Sequence, residues 1–470
     1  RITTGPAFGG FGTASPDGTQ ALSVSPDGKI ARLAVGGPYT LSITAQAKKS
    51  GPGGAGAMMT FHVGPLYVGD LWVLAGQSNM EGVGNLEDVT PPSDRVSLLG
   101  MDGRWRKAEE PLHWLVDSPD PVHSGDPDTR AERAAAQHKN RVKGAGLGLP
   151  FGVALATTTG VPIGLIATAH GGTSMKGWDP EQKDKGGKSL YGSMLGQVKR
   201  GGGKVRGVLW YQGESDANPE AAKEYPKVFA GFINSVRSDF EDLDLPFYFV
   251  QIGRVVRAGD PAAWNAVQDA QRRIPDRMAN TAVVASIDLE LDDGIHVGTQ
   301  GLKRLGMRLA RIAQRELYGQ AGATTPTFER VNRRGDRALI VRFKGVNRQP
   351  SPGTGPSMAS PANGQLGQPA SPVLNSPSLG PSTGQPVAGL QPARHIAGFS
   401  IRKDDGTEIP LIYDAAVGPS HDTVILKLNG PIPKGGNLWY GHGFDPTCNL
   451  TDPLDMAVPV FGPIPLDDVE

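Results

Sequence analysis

Cysteine is all but missing. Cys448 is the single one in 470 residues, so an intrachain disulfide and a cysteine-based metal cluster are both excluded. An excess of one charge is missing too: Lys plus Arg and Asp plus Glu each number 47, which removes the electrostatic case for a nucleic-acid or anionic-membrane partner. No apolar run approaches the roughly 20 residues that a membrane-spanning helix needs. Aromatics are only 6% of the chain, and from Gln349 to Ala393 there is neither an aromatic nor a charged residue, while ten prolines fall there. Such a Pro/Ser/Gly/Gln stretch has nothing with which to bury a core and reads as extended or disordered. Also absent are a His-Glu-x-x-His zinc signature, a phosphate loop and an Asp-rich calcium loop, so neither a metal nor an organic cofactor is expected. The chain begins at Arg1 without a methionine or an apolar leader, which reads as a trimmed or mature form; the single cysteine suits the cytoplasm and a secreted enzyme equally, and a secreted or periplasmic location is expected.

What is present in quantity is glycine (65) and proline (40), in a chain long enough for two or three domains. Residues 1–65 read as a β-rich module. Turn signatures Ser15-Pro16-Asp17-Gly18 and Ser25-Pro26-Asp27-Gly28 lie beside short strand candidates, and Tyr39–Ile43 and Met59–Val63 flank a Lys/Gly-rich loop. Gly51–Gly56 in that loop matches the dinucleotide-binding fingerprint in form, but a strand follows it and not a helix, so it reads as a hairpin tip. From 66 to 320 strands and helices alternate. Strand candidates are Leu71–Leu74, Ile163–Thr168, Val205–Tyr211, Phe247–Ile252 and Ala282–Ile287. Helices are expected at Phe151–Thr157, Ala221–Phe240, Trp264–Arg273 and Gly301–Leu317. That texture predicts an α/β domain, three layers α/β/α around a mostly parallel sheet. Residues 104–143 interrupt it and read as an insertion near the site mouth. Residues 323–470 return to strand patterning, at Ala338–Phe343, Gly398–Lys403, Ile409–Tyr413 and Thr423–Leu428, as a β-sandwich broken by the 349–393 stretch.

The chemistry-bearing residues cluster at the predicted strand ends. Ser78, in Gly76-Gln77-Ser78-Asn79, follows the first strand, where open α/β sheets place their ligand crevice. A nucleophilic serine needs a histidine within reach and a group that orients it. Among nine histidines, only His296 is read as having a carboxylate at a helpful spacing and location, in Asp293-Gly294-Ile295-His296. Gly171 and Gly172, in Ala169-His170-Gly171-Gly172-Thr173, leave amides free to hold an oxyanion. Gln212, in Gln212-Gly213-Glu214-Ser215, adds an amide side chain that can donate to the same charge, and Glu214 a supporting carboxylate. His170 is a rival base without a nearby acid, and Ser215 a rival nucleophile without a base. Gly380-Pro381-Ser382-Thr383-Gly384 matches the nucleophile-elbow pattern but has no strand before it.

Taken together, Gly76–Met80, Gly171-Gly172-Thr173 with Trp178, Trp210–Asp216 and Asp293-x-x-His296 resemble the SGNH (GDSL-like) hydrolases, and within them the sialate O-acetylesterase-like carbohydrate esterases. The resemblance implies Ser78 as nucleophile, His296 as base and Asp293 as its orienting acid. It implies an oxyanion hole from the amides of Ser78 and Gly171 or Gly172 with Gln212, supported by Gln77, Asn79, Glu214 and Trp178. It further implies removal of O-acetyl groups from sialic acid or other acetylated glycans, with an acetylated carbohydrate as partner. Gly36–Ile43 and Gly398–Ile464 resemble the β-modules that flank such domains. The chain departs from the pattern at Asp216, where an Asn is expected, and in the 104–143 and 349–393 insertions. Two other readings remain: an esterase for xylan or another plant or algal polysaccharide, and a glycan-binding protein with a vestigial hydrolase domain.

Overall fold

The computed structural model describes residues 2–4, 19–20, 33–46, 58–348, 395–467 and 469. The turn signatures within 15–28 with most of the strand candidates beside them, the Gly51–Gly56 loop and the 349–393 stretch lie outside these residues.

The organising element is β1 (Asp70–Gly76). Its sequence, DLWVLAG, is apolar without alternation, as a strand covered on both faces requires, and Trp72 through Ala75 are fully buried. It belongs to a seven-stranded sheet with β2 (Val96–Leu99), β3 (Trp105–Lys107), β4 (Ile163–Ala167), β5 (Gly207–Tyr211), β6 (Phe247–Gln251) and β7 (Thr281–Ala285). The spatial order is β7-β6-β5-β1-β4-β2-β3, parallel throughout except for the edge strand β3. The winding direction reverses on the two sides of β1, so a crevice opens at its carboxyl end.

Besides the single turn Pro121–Ser124, the α-helices among the described residues are α1 (Ser78–Glu81), α2 (Pro127–Asn140), α3 (Gly148–Thr159), α4 (Leu190–Arg200), α5 (Ala221–Asp239), α6 (Ala262–Arg273) and α7 (Thr299–Tyr318). Strand parity assigns them to faces. Trp72 and Leu74 register with Gly207 and Leu209 on one face, where Trp72 meets Phe151 of α3 edge-on at 4.9 Å; α7 packs on α3. Trp210, one step out of phase, points to the other face and meets Phe232 of α5 at 4.6 Å, with Tyr191 of α4 behind it and α6 packed on α5. The three-layer α/β/α expectation is therefore met.

Several elements were not anticipated, among them β2, β3, α2 and α4. β2 and β3 are too short to show a period, and β3 opens the expected insertion. α2, also inside that insertion, has no buried residue and hence no apolar stripe. α4 carries its apolar residues among glycines and serines.

Strands Gly36–Gln46 and Met58–Val68 form an antiparallel hairpin that runs directly into β1. At the other end, two four-stranded sheets face each other. In Ala338–Lys344 burial alternates residue by residue, and Leu339 and Val341 from one sheet share a core with Ile401, Leu438 and Phe461 from the other. The sandwich is tied to the α/β domain by Arg308 of α7, which is wholly buried. It donates to Asp288 at 2.8 and 2.7 Å and to Asp455 at 3.2 Å. Among the described residues no helix is long and apolar enough to cross a membrane, and no group of three or more His, Cys, Asp or Glu side chains is placed to hold a metal ion.

Candidate active site

Gly76 ends β1 at φ +134°, and a Cβ there would lie 2.2 Å from the Tyr211 carbonyl oxygen, so only glycine lets the two strand ends approach. The chain then turns into α1, whose first residue is Ser78. Its amide has no partner in the protein, as expected for a first helical N–H. The Ser78 Oγ lies 2.9 Å from His296 Nε2, and His296 Nδ1 lies 2.8 Å and 3.0 Å from the two Asp293 oxygens. Nδ1 donates to the carboxylate, which leaves Nε2 as the acceptor for the serine proton.

The loop that carries the pair closes on itself. The Asp292 N–H donates to the His296 carbonyl at 2.8 Å, and Leu291 pairs with Val297. Asp293 also accepts from the amides of Ile295 and His296 at 3.0 and 2.9 Å. Burial, the largest single influence, pushes the Asp293 carboxyl up. The hydrogen bonds from the His296 ring and these amides outweigh it and hold the group well below the usual carboxylate range. From outside, Lys143 Nζ approaches Asp293 Oδ2 at 3.3 Å across a half-exposed surface.

Asn79 bridges the two ends of the site: its Oδ1 accepts from Val297 N at 3.0 Å and its Nδ2 donates to Glu214 Oε1 at 2.8 Å. Burial raises the Glu214 carboxyl, and its second oxygen is sealed without a partner. Gln77 is buried and accepts from Ser215 N at 3.3 Å, so it ties α1 to the end of β5. Trp178 is buried as well. It donates to Thr173 Oγ1 at 2.9 Å and packs on Trp210, which makes it a prop beneath the glycine loop.

Two of the expected oxyanion donors are engaged elsewhere. The Gly171 N–H donates to Glu81 Oε2 of α1 at 2.8 Å. Gln212 is fully buried, and its Nε2 donates to Thr173 O at 3.2 Å and to Asp216 Oδ2 at 2.5 Å, so both amide protons are taken. Asp216, the departure from the expected Asn, accepts this bond together with one from Met175 N at 2.8 Å, which an acceptor-only carboxylate does without conflict. Gln212 thus braces the Thr173–Met175 segment. The Gly172 N–H, at φ +70°, has no partner in the protein, and the preceding residue Gly171 packs against Ser78, where a Cβ on Gly171 would lie 3.5 Å from Ser78 Cβ.

Residues of the 104–143 segment reach the site. Arg141 approaches Glu81 at 3.8 Å and lies over the Trp114 ring at 4.8 Å, while Lys143 reaches Asp293. His123 Nδ1 lies 3.0 Å from His170 Nδ1, so the rival base His170 is engaged there and not with Ser78. Asp120-Pro121-Val122-His123 repeats the Asp-x-x-His spacing of residues 293–296 and was overlooked because no strand precedes it. A cavity of about 650 Å³ lies elsewhere, between α5, α6 and the sandwich, and holds none of these residues.

The model of the family described as "Carbohydrate esterase, sialic acid-specific acetylesterase" matches residues 68–315, more than half of the chain. The chain belongs to this family. Ser78, Gly171, Gly172, Gln212, Asp293, His296 and the insertion all fall inside the matched span of the esterase, and both β-modules fall outside it. It is 28% identical over 270 residues to a probable carbohydrate esterase of Arabidopsis thaliana, covering 53% of this chain and 91% of that one. Its fold resembles that of a carbohydrate acetylesterase from Xanthomonas citri (TM-score 0.58, 21% identity, covering 91% of this chain and 85% of that one).

Proposed function

We propose that this esterase is serine-dependent and removes O-acetyl groups from glycans. The observation that carries the reading is the unbroken chain from Ser78 Oγ through His296 to Asp293, at 2.9 and 2.8 Å. Ser78 Oγ attacks the acetyl carbonyl as its proton passes to His296 Nε2, and ionised Asp293 stabilises the resulting imidazolium. The Ser78 and Gly172 amides, both without protein partners, take the developing oxyanion. His296 then returns the proton to the departing sugar oxygen. Water, activated by the same nitrogen, releases acetate from Ser78. Each step uses only protein groups and water.

The family description, the names of the similar proteins and the serine geometry point the same way, and the substrate class rests on the first two. The test is acetate release from a panel of acetylated glycans that includes O-acetylated sialosides and acetylated xylan. We expect release from at least one of them and nearly none from Ser78→Ala. Wild-type hydrolysis of 4-nitrophenyl acetate by Ser78→Ala would overturn the mechanism.

A further inference from the structure

A second hydrogen-bonded chain ends on His170, whose backbone N–H donates to the Gly76 carbonyl at 3.0 Å and which precedes Gly171, packed against Ser78. Asp120, salt-bridged to Arg200 at 3.4 Å, accepts from Ser193 Oγ of α4 at 2.6 Å. Ser193 Oγ lies 3.1 Å from His123 Nε2, and His123 Nδ1 lies 3.0 Å from His170 Nδ1. Asp120, His123 and Ser193 are all buried, whereas His170 is half-buried and begins the Gly171–Gly172 loop next to Ser78.

The Ser193 proton and the burial of the rings set the direction of the bonds in this chain. A hydroxyl has one proton, and Ser193 gives its proton to the Asp120 carboxylate, so Ser193 accepts from His123 and His123 Nε2 carries a hydrogen. Burial, followed by the neighbouring His170, pushes the His123 imidazole down to about 3, so the ring is neutral and its Nδ1 is bare. His170 Nδ1 must therefore be the donor between the rings. Burial lowers His170 as well and so favours its neutral ring, in which a donating Nδ1 leaves Nε2 as the bare lone pair. That nitrogen has no partner in the protein and is not sealed from solvent.

We infer that His170 Nε2 is a subsite for a sugar hydroxyl: it accepts from a free hydroxyl on the acetylated sugar and so orients the leaving sugar over Ser78. The inference rests on the esterase reading above. A neutral ring locked as an acceptor selects a donor group, which a sugar supplies and a plain acetyl ester does not. Asp120, Ser193 and His123 act through His170 and are positioning residues, since none of them touches the substrate.

The decisive comparison uses a mono-O-acetylated sugar with free hydroxyls against 4-nitrophenyl acetate. His170→Asn keeps a donor for His123 but removes the outer acceptor. We expect its kcat/KM on the sugar ester to fall about tenfold more than on 4-nitrophenyl acetate, mainly through KM, with part of the loss regained in His170→Gln. Equal losses on the two esters overturn the subsite. Ser78→Ala, run alongside, separates the two readings: if it loses both activities while His170→Asn shows no difference between esters, only this subsite fails. An independent readout is the ¹⁵N spectrum of histidine-labelled enzyme. It is expected to show His170 protonated at Nδ1 and bare at Nε2, with that preference lost in Ser193→Ala. A proton resident on Nε2 overturns the inference.

Discussion

The His296 loop and the His170 loop each follow a parallel strand and each present an imidazole on a chain that begins at a carboxylate. They differ in where that carboxylate sits. Asp293 is three residues from His296, half-exposed, and held in its ionised form by one ring and two amides. Asp120 is 50 residues before His170 and reaches it only through Ser193 and His123. The short chain ends on a hydroxyl and leaves the base free to take its proton. The long one ends on an open nitrogen that only accepts. Proximity of acid, histidine and serine is thus common to both, and the direction of the bonds separates the arrangement we propose as catalytic from the one we propose as positioning.

Exchanging serine for alanine in the two chains gives the largest contrast. Ser78→Ala should lose at least about 10⁴ in kcat on 4-nitrophenyl acetate, whereas Ser193→Ala should stay within about tenfold, since it breaks hydrogen bonds and leaves the nucleophile intact. Steady-state rates on purified variants decide it, and comparable losses would erase the distinction. The acids come next. Asp293→Asn should cost on the order of 10⁴ by releasing the His296 tautomer, with Asp120→Asn again below about tenfold.

The two sides should also respond to pH with opposite sign. Asp293 is depressed in the folded state, so the stability it contributes is present above its unfolded value and is lost as pH falls. Glu110 supports the 104–143 segment by accepting from Gly146 and Leu112 amides at 3.1 Å each, and burial pushes its carboxyl up from 4.5 to about 8. The folded state therefore binds more protons than the unfolded one between these values, and stability is lost as pH rises through them. Melting curves of Glu110→Gln should show the variant gaining on wild type between pH 4.5 and about 8. The smallest effect belongs to Lys143, whose pair with Asp293 at 3.3 Å is open to solvent. Lys143→Met removes a cation that opposes charge on the neighbouring imidazole. The kcat on 4-nitrophenyl acetate should stay within about twofold of wild type, and any difference should fade with added salt.

The legibility of the sequence follows the same division. The pair Asp293–His296 could be read because both partners lie on one loop after a strand, and Ser78 because an apolar run ending in Gly76 marks a strand end. The chain Asp120–Ser193–His123–His170 assembles three segments that are remote in sequence, and no local pattern announces it. The Gly171-Gly172 and Gln212 motifs were found, but their hydrogen-bond partners were not. Glu81 captures the Gly171 amide across 90 positions, and Asp216 with Thr173 occupies Gln212. Long buried strands and helices with an apolar face were visible for the same local reason. α2, polar on every side, and the short β2 and β3 had no periodic signal to give.

The central claim is that Ser78, and not Ser193, is the acyl-accepting nucleophile. A fluorophosphonate probe followed by peptide mapping tests it most directly. The account predicts one stoichiometric adduct on Ser78, absent from Ser78→Ala and present in Ser193→Ala. An adduct on Ser193, or none on Ser78 in enzyme that still hydrolyses acetyl esters, would contradict it.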